Sequence, residues 1–210
     1  MIAEPVKQDS QMGLPGYRAD LTAGSLKLAE SRIIADLLLS GATKEAWNNA
    51  LFVENRLQVK NRATAVRLGR LIRDRLSLMK PEFWNLVRDG SVTVTSHALL
   101  AAAIKHSRLL GDFFDITIRD QYRLFSSELS PGLWHDFLAE CRRRDPEMPV
   151  WNESTIRRMK SSVFQVLAQA GFIESTRSPK LRRVHIAPEV IRYLQEHEET
   201  YVLRCITVGS

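Results

Sequence analysis

The chain has 210 residues, of which 44% are hydrophobic and 26% are charged, and this composition is typical of a globular protein. Its longest uninterrupted apolar run, residues 98–104, has seven residues, whereas a membrane-spanning helix needs about 20. The N-terminus lacks the basic and then apolar pattern of a secretory signal. We therefore expect a cytoplasmic protein that makes no membrane contact.

Two segments contain the whole positive excess of the chain, whose formal net charge is +6. Residues 56–80 hold eight Lys and Arg against one Asp, a net charge of +7. Residues 142–183 hold ten Lys and Arg against four acidic residues, a net charge of +6. Such segregation favours binding to a polyanion, although basic helix faces can also serve solubility alone.

The N-terminal half has a helical pattern after a lead of residues 1–16, which its two prolines and two glycines predict to be flexible. An apolar stripe on the first helix ends at Ser40-Gly41, and Thr43 is a suitable cap for the second helix. A third helix is predicted over residues 63–79, with Val66 facing inward. Its outer side carries arginines, namely Arg67, Arg70, Arg73 and Arg75.

The middle of the chain is predicted to be helical with interruptions. Pro81 begins a short helix that Gly90 ends, and residues 92–94 (VTV) are strand-like but short. Thr95 or Ser96 is a candidate cap for the apolar helix that follows, and the helical pattern over residues 106–125 breaks near Asp115. A further helix follows Ser130-Pro131-Gly132 and ends in three arginines.

The segment from Trp151 to Val184 has the order helix, tight stop, strand, basic loop and strand, which is typical of a winged helix. Asn152 is the predicted N-cap of a helix over residues 152–170, and Gly171 is its predicted left-handed end. Residues 172–174 and 184–186 are the predicted strands, with His185 pointing outward. Pro188 then begins a closing helix.

These elements predict a mainly α fold with two helical lobes. The N-terminal helical domain spans residues 17–106 and is a bundle for which a helix-turn-helix arrangement stays open. The C-terminal domain spans residues 107–210 and is predicted to be a winged helix-turn-helix with a short β-hairpin wing.

No common catalytic motif is present, since the chain lacks a P-loop and the GxGxxG, GxSxG and HExxH patterns. Cys141 and Cys205 lie 64 positions apart, and Cys141 falls on the apolar face of a helix, where a buried thiol is expected. The histidines have no ligand partners at suitable spacing; they are His97, His106, His135, His185 and His197. We expect no enzymatic activity, cofactor, metal or small-molecule substrate, although a site assembled from distant residues stays open.

Several short motifs of the chain resemble those of a known protein family. Thr22-Ala23-Gly24 is followed by Glu30-Ser31-Arg32, by residues 54–58 (ENRLQ) and by the arginine-rich helix at residues 67–76. Looser C-terminal matches are Leu133-Trp134, Phe137, Trp151, Thr155 and the ending Leu167…Gly171-Phe172. From about residue 17 onward, the chain resembles the BrxA family of bacterial BREX phage-defence systems. The resemblance implies a non-enzymatic protein that binds double-stranded DNA, has at least one winged lobe, and acts with other BREX proteins, among them a methyltransferase and an ATPase.

The leading hypothesis is binding of duplex DNA with little dependence on its sequence. In the helix 152–170 the candidate contacts are Arg157, Arg158, Lys160, Ser161 and Gln165, where Gln165 could reach either a base edge or a phosphate. In the loop 175–183 they are Arg177, Lys180, Arg182 and Arg183, which are expected to bind phosphates. The second basic segment adds Lys60, Arg62, Arg67, Arg70 and Arg73, although Arg73 and Arg75 could instead pair with acidic residues.

Three alternatives stay open. The same surfaces could dock a protein in an assembly adaptor, or the chain could be a winged-helix transcriptional regulator. RNA binding is less favoured, because RNA recognition uses exposed aromatic rings and here the tryptophans and most phenylalanines fall on apolar stripes.

Overall fold

The computed structural model describes residues 16–209 and shows a mainly α-helical chain; the predicted flexible lead, apart from Gly16, lies outside this part. A 3₁₀ turn (Asp20–Ala23) precedes the helices. The helices are α1 (Leu28–Leu39), α2 (Lys44–Asn48), α3 (Arg62–Leu76), α4 (Pro81–Asp89), α5 (Val92–His106), α6 (Arg108–Asp112), α7 (Arg119–Arg123), α8 (Leu133–Arg144), α9 (Glu153–Gln169), α10 (Pro188–Glu196) and α11 (Thr200–Ile206). Two π-helical turns, Asn49–Val53 and Phe113–Ile118, extend α2 and join α6 to α7.

Helix α5 is the centre of the hydrophobic core. Every residue from Thr95 to Ile104 is buried, and four of these are alanines, whose small side chains let neighbouring helices approach closely. Helices α1, α3 and α4 pack on it from the N-terminal half, and α10 and α11 pack on it from the C-terminal half. The core is therefore continuous across residues 106–107, and the division into two domains at that point stays a prediction.

The predicted helix ends are confirmed where local side chains determine them. The Thr43 hydroxyl accepts the Ala46 N–H at 3.3 Å, and the Asn152 side chain accepts the Thr155 N–H at 2.8 Å. At the end of α9, Gly171 has φ +82°, and the Phe172 N–H donates to the Leu167 carbonyl at 2.9 Å. This closes the helix as a Schellman motif.

Of two predictions in the middle of the chain, one is wrong and the other is confirmed. The strand-like residues 92–94 form the first turn of α5, which Ser91 caps in place of Thr95 or Ser96. The helix preference of a β-branched residue is only slightly lower than average, so burial of the following apolar residues outweighs it. The predicted interruption near Asp115 is confirmed: a π-helical turn there separates α6 from α7 and widens the helical course of the chain.

The predicted β-hairpin strands at residues 172–174 and 184–186 are not formed. In the described chain only isolated antiparallel bridges occur, joining Ile173 to Leu181 and Glu128 to Lys180. Val184 and Ile186 are buried and His185 is exposed, as the alternation predicted, but the side chains of the two apolar residues pack on the core and their backbone pairs with no strand. The partner of residues 172–174 is instead the segment 180–182.

Helix α11 was not predicted. Its buried residues Val202, Cys205 and Ile206 complete the cover of α5. Within residues 16–209, each helix is too short or too polar to cross a lipid bilayer.

Candidate nucleic-acid interface

Helix α9 divides into a buried face and a basic exposed face. Met159, Val163, Val166 and Leu167 are completely buried and fix the rotation of the helix on the core. Since the exposed residues lie on the opposite side of the helix, Arg157, Arg158, Ser161 and Gln165 all face outward. Lys160 is half-buried because its Nζ donates to the Pro131 carbonyl at 2.6 Å.

Three short segments form a small ladder beside α9. The Glu174 N–H donates to the Lys180 carbonyl and the Arg182 N–H to the Phe172 carbonyl, both at 2.9 Å. On the other edge, the Leu181 N–H donates to the Ser127 carbonyl at 2.9 Å. The Leu129 N–H donates to the Pro179 carbonyl at 3.0 Å. Segment 179–182 is therefore the middle member, between 172–174 and 127–129.

The loop at residues 175–179 is held by its own serines. The Ser175 N–H donates to the Ser178 carbonyl at 3.1 Å, and the Ser178 N–H donates to the Ser175 hydroxyl at 3.0 Å. The Ser178 hydroxyl also donates to Glu174 at 3.1 Å. These bonds make the turn compact and leave the Arg177 side chain exposed.

A groove of about 470 Å³ lies between α9 and this loop. We call it the α9 groove. Its apolar floor includes Leu129, Phe164 and Pro179, and its polar lining is Arg157, Lys160, Ser161, Gln165, Thr176 and Arg177. Sequence reasoning predicted five of these six polar residues. It missed Phe164, whose ring lies 5.8 Å from the Lys160 ammonium, and Thr176, which also lines the groove.

The basic side chains around the α9 groove differ in how far they are already paired. Arg182 forms an ion pair with Glu174 at 3.3 Å, and Arg157 makes only a long contact, 3.4 Å, with the Glu153 carbonyl. Within residues 16–209, the side chains of Arg158, Arg177 and Lys180 have no ion-pair partner. Arg183 lies apart from the α9 groove and lines a second groove at the other end of the ladder.

The second predicted basic surface lies on α3 and at the residue just before its cap, and we call it the α3 face. Its residues, all exposed, are Lys60, Arg62, Arg67, Arg70 and Arg73. Two of its guanidinium groups lie over aromatic rings. Arg62 is 4.2 Å from the centroid of Phe52, and Arg73 is 5.6 Å from the centroid of Trp47. A groove of about 710 Å³ beside them is lined by Trp47, Phe52, Arg70 and Arg73. Val66, predicted to face inward, is 44% exposed.

Arg75 was predicted to lie on the outer side of α3 and is instead buried. It is 4% exposed, and its Nη1 donates to the Ser25 carbonyl at 3.1 Å. Burial lowers the pKa of Arg75 to about 10, while the negative charge of Asp20 opposes this shift. Arg75 therefore fastens the end of α3 to the segment before α1 and is not available to a ligand.

The same segment also holds the end of α9. The Leu26 N–H donates to the Gln169 side chain at 2.8 Å, one residue beyond the Ser25 carbonyl that Arg75 binds. The C-terminal ends of α3 and α9 thus share one anchor in the segment before α1.

The cysteines are poor candidates for chemistry. Both are buried and free, and burial raises the pKa of the Cys141 thiol to about 11. No group of His, Cys, Asp and Glu side chains that could hold a metal ion occurs in the part of the chain that the structure describes.

The fold and these surfaces define a mainly α-helical protein with two basic faces anchored on one core. The model of the BrxA family matches residues 15–198, and the chain belongs to this family. A relative from Paramagnetospirillum magneticum, named BREX protein BrxA, is 49% identical over 198 residues, which cover 94% of this chain and 100% of the relative. A protein of the same name from Escherichia coli O9:H4 is 31% identical over 176 residues and covers 84% of this chain and 83% of that protein.

A crystal structure of an uncharacterized protein from Magnetospirillum magneticum has a similar fold. Its TM-score is 0.85 at 48% sequence identity, and the match covers 92% of this chain and 100% of that chain.

Proposed function

We propose that this protein is a non-enzymatic component of BREX phage defence that binds double-stranded DNA through the α9 groove. The family membership and the names of the two relatives support the defence role. The observation that carries DNA binding is the α9 groove itself, in which five residues predicted as DNA contacts lie together.

The dimensions of α9 suit a duplex. With its side chains an α-helix is about 10–12 Å across, and the major groove of B-DNA is about 12 Å wide. Arg157, Ser161 and Gln165 follow one another at four-residue spacing and so form one row along the exposed face. In this orientation Gln165 and Ser161 would meet base edges or phosphates, while Arg157 and Arg177 would bind the phosphates on either side.

We further propose that α8, α9 and the ladder form a minimal winged helix. The chain order agrees with that motif: helix α7 comes first, followed by α8, α9 and the two antiparallel segments 172–174 and 180–182. The third segment of the ladder, 127–129, precedes α8, where a winged helix has its first strand. The loop at residues 175–179 then takes the place of the wing. Its single free cation, among the residues described, is Arg177, which suits a phosphate contact better than recognition of a base.

The α3 face would extend the contact along the DNA. Helices α3 and α9 are about 22 Å and 25 Å long at 1.5 Å per residue. If both lie along one duplex from their shared anchor, they cover at most about 47 Å, or about 14 base pairs at 3.4 Å each.

Fluorescence anisotropy of the full chain with labelled duplexes of about 8, 14 and 25 base pairs, titrated over salt, tests the proposal. Binding should strengthen strongly from 8 to 14 base pairs and only slightly beyond. Single-stranded DNA and duplex RNA of equal length should bind more weakly, because neither offers a wide major groove. Absence of duplex binding at low salt would refute the proposal, and saturation at 8 base pairs would remove the α3 face from it.

A further inference from the structure

The turn that follows α7 exposes two large apolar side chains. Leu124 is 71% exposed and Phe125 is 83% exposed, although large apolar residues normally avoid water. Phe125 has φ +53°, a left-handed conformation that glycine usually occupies at a helix end. Backbone bonds from the Phe125 N–H to the Tyr122 carbonyl and from the Ser126 N–H to the Gln121 carbonyl, at 3.1 and 3.0 Å, hold this turn. The phenyl ring is thus presented by a fixed backbone at some conformational cost.

Phe125 forms one wall of a groove of about 450 Å³, which we call the Phe125 groove. Leu181 and Val208 provide further apolar surface, and Arg119, Arg123 and Arg183 supply the charge. Apolar and cationic side chains therefore lie side by side, and of the residues named here only Arg183 was predicted as a binding residue.

The arginines of the Phe125 groove are unequally paired. Arg119 binds Asp115 at 2.8 Å, and Arg123 lies 3.5 Å from Asp120. The side chain of Arg183 has no ion-pair partner among residues 16–209. The guanidinium of Arg183 is therefore available to bind a carboxylate of a ligand.

This groove lies at a different end of the ladder from the DNA-binding surface proposed above. It opens near Ser126 and Arg183, whereas the α9 groove opens near Leu129 and Pro179, at the other end of the ladder. The chain from Phe125 to Leu129 spans at most about 13 Å at 3.3 Å per residue, so the two grooves are neighbours, but they share no lining residue. Asp115 pairs with Arg119 and Arg204, and Asp120 pairs with Arg123, so the rim has mixed charge. An aromatic centre with a mixed-charge rim rich in arginine is characteristic of protein interfaces.

We propose that the Phe125 groove docks a segment of a partner protein that carries a large apolar side chain next to carboxylates. The apolar side chain packs against Phe125, Leu181 and Val208, and a carboxylate binds the guanidinium of Arg183. This inference does not depend on DNA binding by α9.

Selection of phage-displayed random 12-residue peptides against the full chain tests the proposal. Enriched peptides should combine an aromatic or large aliphatic residue with Asp or Glu. As synthetic labelled peptides they should bind at least tenfold more weakly to the Phe125→Ser and Arg183→Glu variants. Val150→Ser is the matched control, because Val150 is 84% exposed and does not line the groove. Peptides whose acidic residues are replaced by lysine should regain affinity for the Arg183→Glu variant.

Three results would overturn the inference: no enrichment that depends on Phe125, enrichment of basic peptides, or a tenfold loss of duplex DNA binding in Phe125→Ser. The last would assign the groove to nucleic acid. Because the Phe125 side chain is exposed, its replacement should leave the melting temperature unchanged, so loss of binding will not reflect unfolding.

Discussion

The salt dependence of DNA binding offers the sharpest test of the α9 groove. Arg157 lies on α9 and Arg177 on the facing loop, and both are exposed and line the groove. If each contacts one phosphate, the double replacement by alanine removes two contacts. Each contact contributes about 0.9 to the slope of log affinity against log salt, so the slope should become about 1.8 less steep.

This change in slope fixes how much affinity is lost at each salt concentration. Extrapolated from 1 M salt, where this electrostatic contribution vanishes, a difference of 1.8 corresponds to a loss of about 60-fold at 0.1 M and about fivefold at 0.4 M. Anisotropy titrations of wild type and variant over this range give both quantities from one set of measurements. A uniform loss at all salt concentrations would indicate a structural effect and not the loss of ionic contacts.

A matched control separates local contact from overall charge. Arg142 and Arg192 are exposed, line neither groove, and within residues 16–209 have no ion-pair partner. Their double replacement by alanine removes the same charge and should leave the slope unchanged. If the two double variants have equal slopes, the α9 groove is not the DNA contact and the reasoning fails.

Three further predictions concern stability and are measured by thermal unfolding. Gly171→Val should cost about 1–2 kcal/mol because of the positive φ, lowering the melting temperature by about 2–8 °C, whereas Gly132→Ala, at φ −79°, should be neutral. Asn152→Ala should cost about 1 kcal/mol through loss of the α9 cap, and Asn152→Ser should restore most of it. Stability should also fall as the pH drops below 6.5. The ordinary pKa of histidine is about 6.5, and burial lowers the pKa of His97 below it. As the pH falls, the unfolded chain therefore binds a proton at His97 before the folded chain does. His97→Gln should weaken the pH dependence, and an unchanged pH profile would show that His97 does not cause it.

The structural reason for the last prediction is the position of His97 on α5. Its Nδ1 accepts the Ala187 N–H at 3.0 Å, and its ring also bonds the backbone at Ala170. The neutral ring thus joins the end of α9 to the beginning of α10. Protonation would remove the acceptor at Nδ1, which is why acid should loosen the part of the fold that carries the α9 groove.

Features determined by neighbouring residues could be predicted from the sequence. The cap at Asn152, the left-handed Gly171 and the buried face of α9 all depend on residues within one or two turns of helix. The outward direction of Arg157 and Gln165 follows from the same periodicity. The polar residues on the α9 side of the groove could therefore be predicted, and so could Arg177 on the facing loop, but not the backbone structure of that loop.

Features determined by distant residues could not be predicted. The ladder pairs residues 179–182 with 127–129, which lie on the other side of α8 and α9 in the sequence, and no local pattern encodes that register. Arg75 is placed on the buried side of α3 because Ser25 supplies an acceptor there. Phe125 lies at a helix end, in a left-handed conformation that glycine usually adopts. Because it lies beyond the last helical turn, the helical periodicity does not indicate whether its side chain is buried or exposed.

The ladder separates two surfaces of different chemistry. The α9 groove presents cations and small polar groups, which suit phosphates and base edges, whereas the Phe125 groove presents an aromatic ring within a mixed-charge rim. No residue lines both grooves, and the described contacts offer no element with two arrangements that could couple them. Duplex DNA and an acidic peptide should therefore bind at the same time, and each should weaken the other only through the repulsion of their negative charges, which added salt removes. Competition between them in a titration of one against the other would show that the two grooves form a single site.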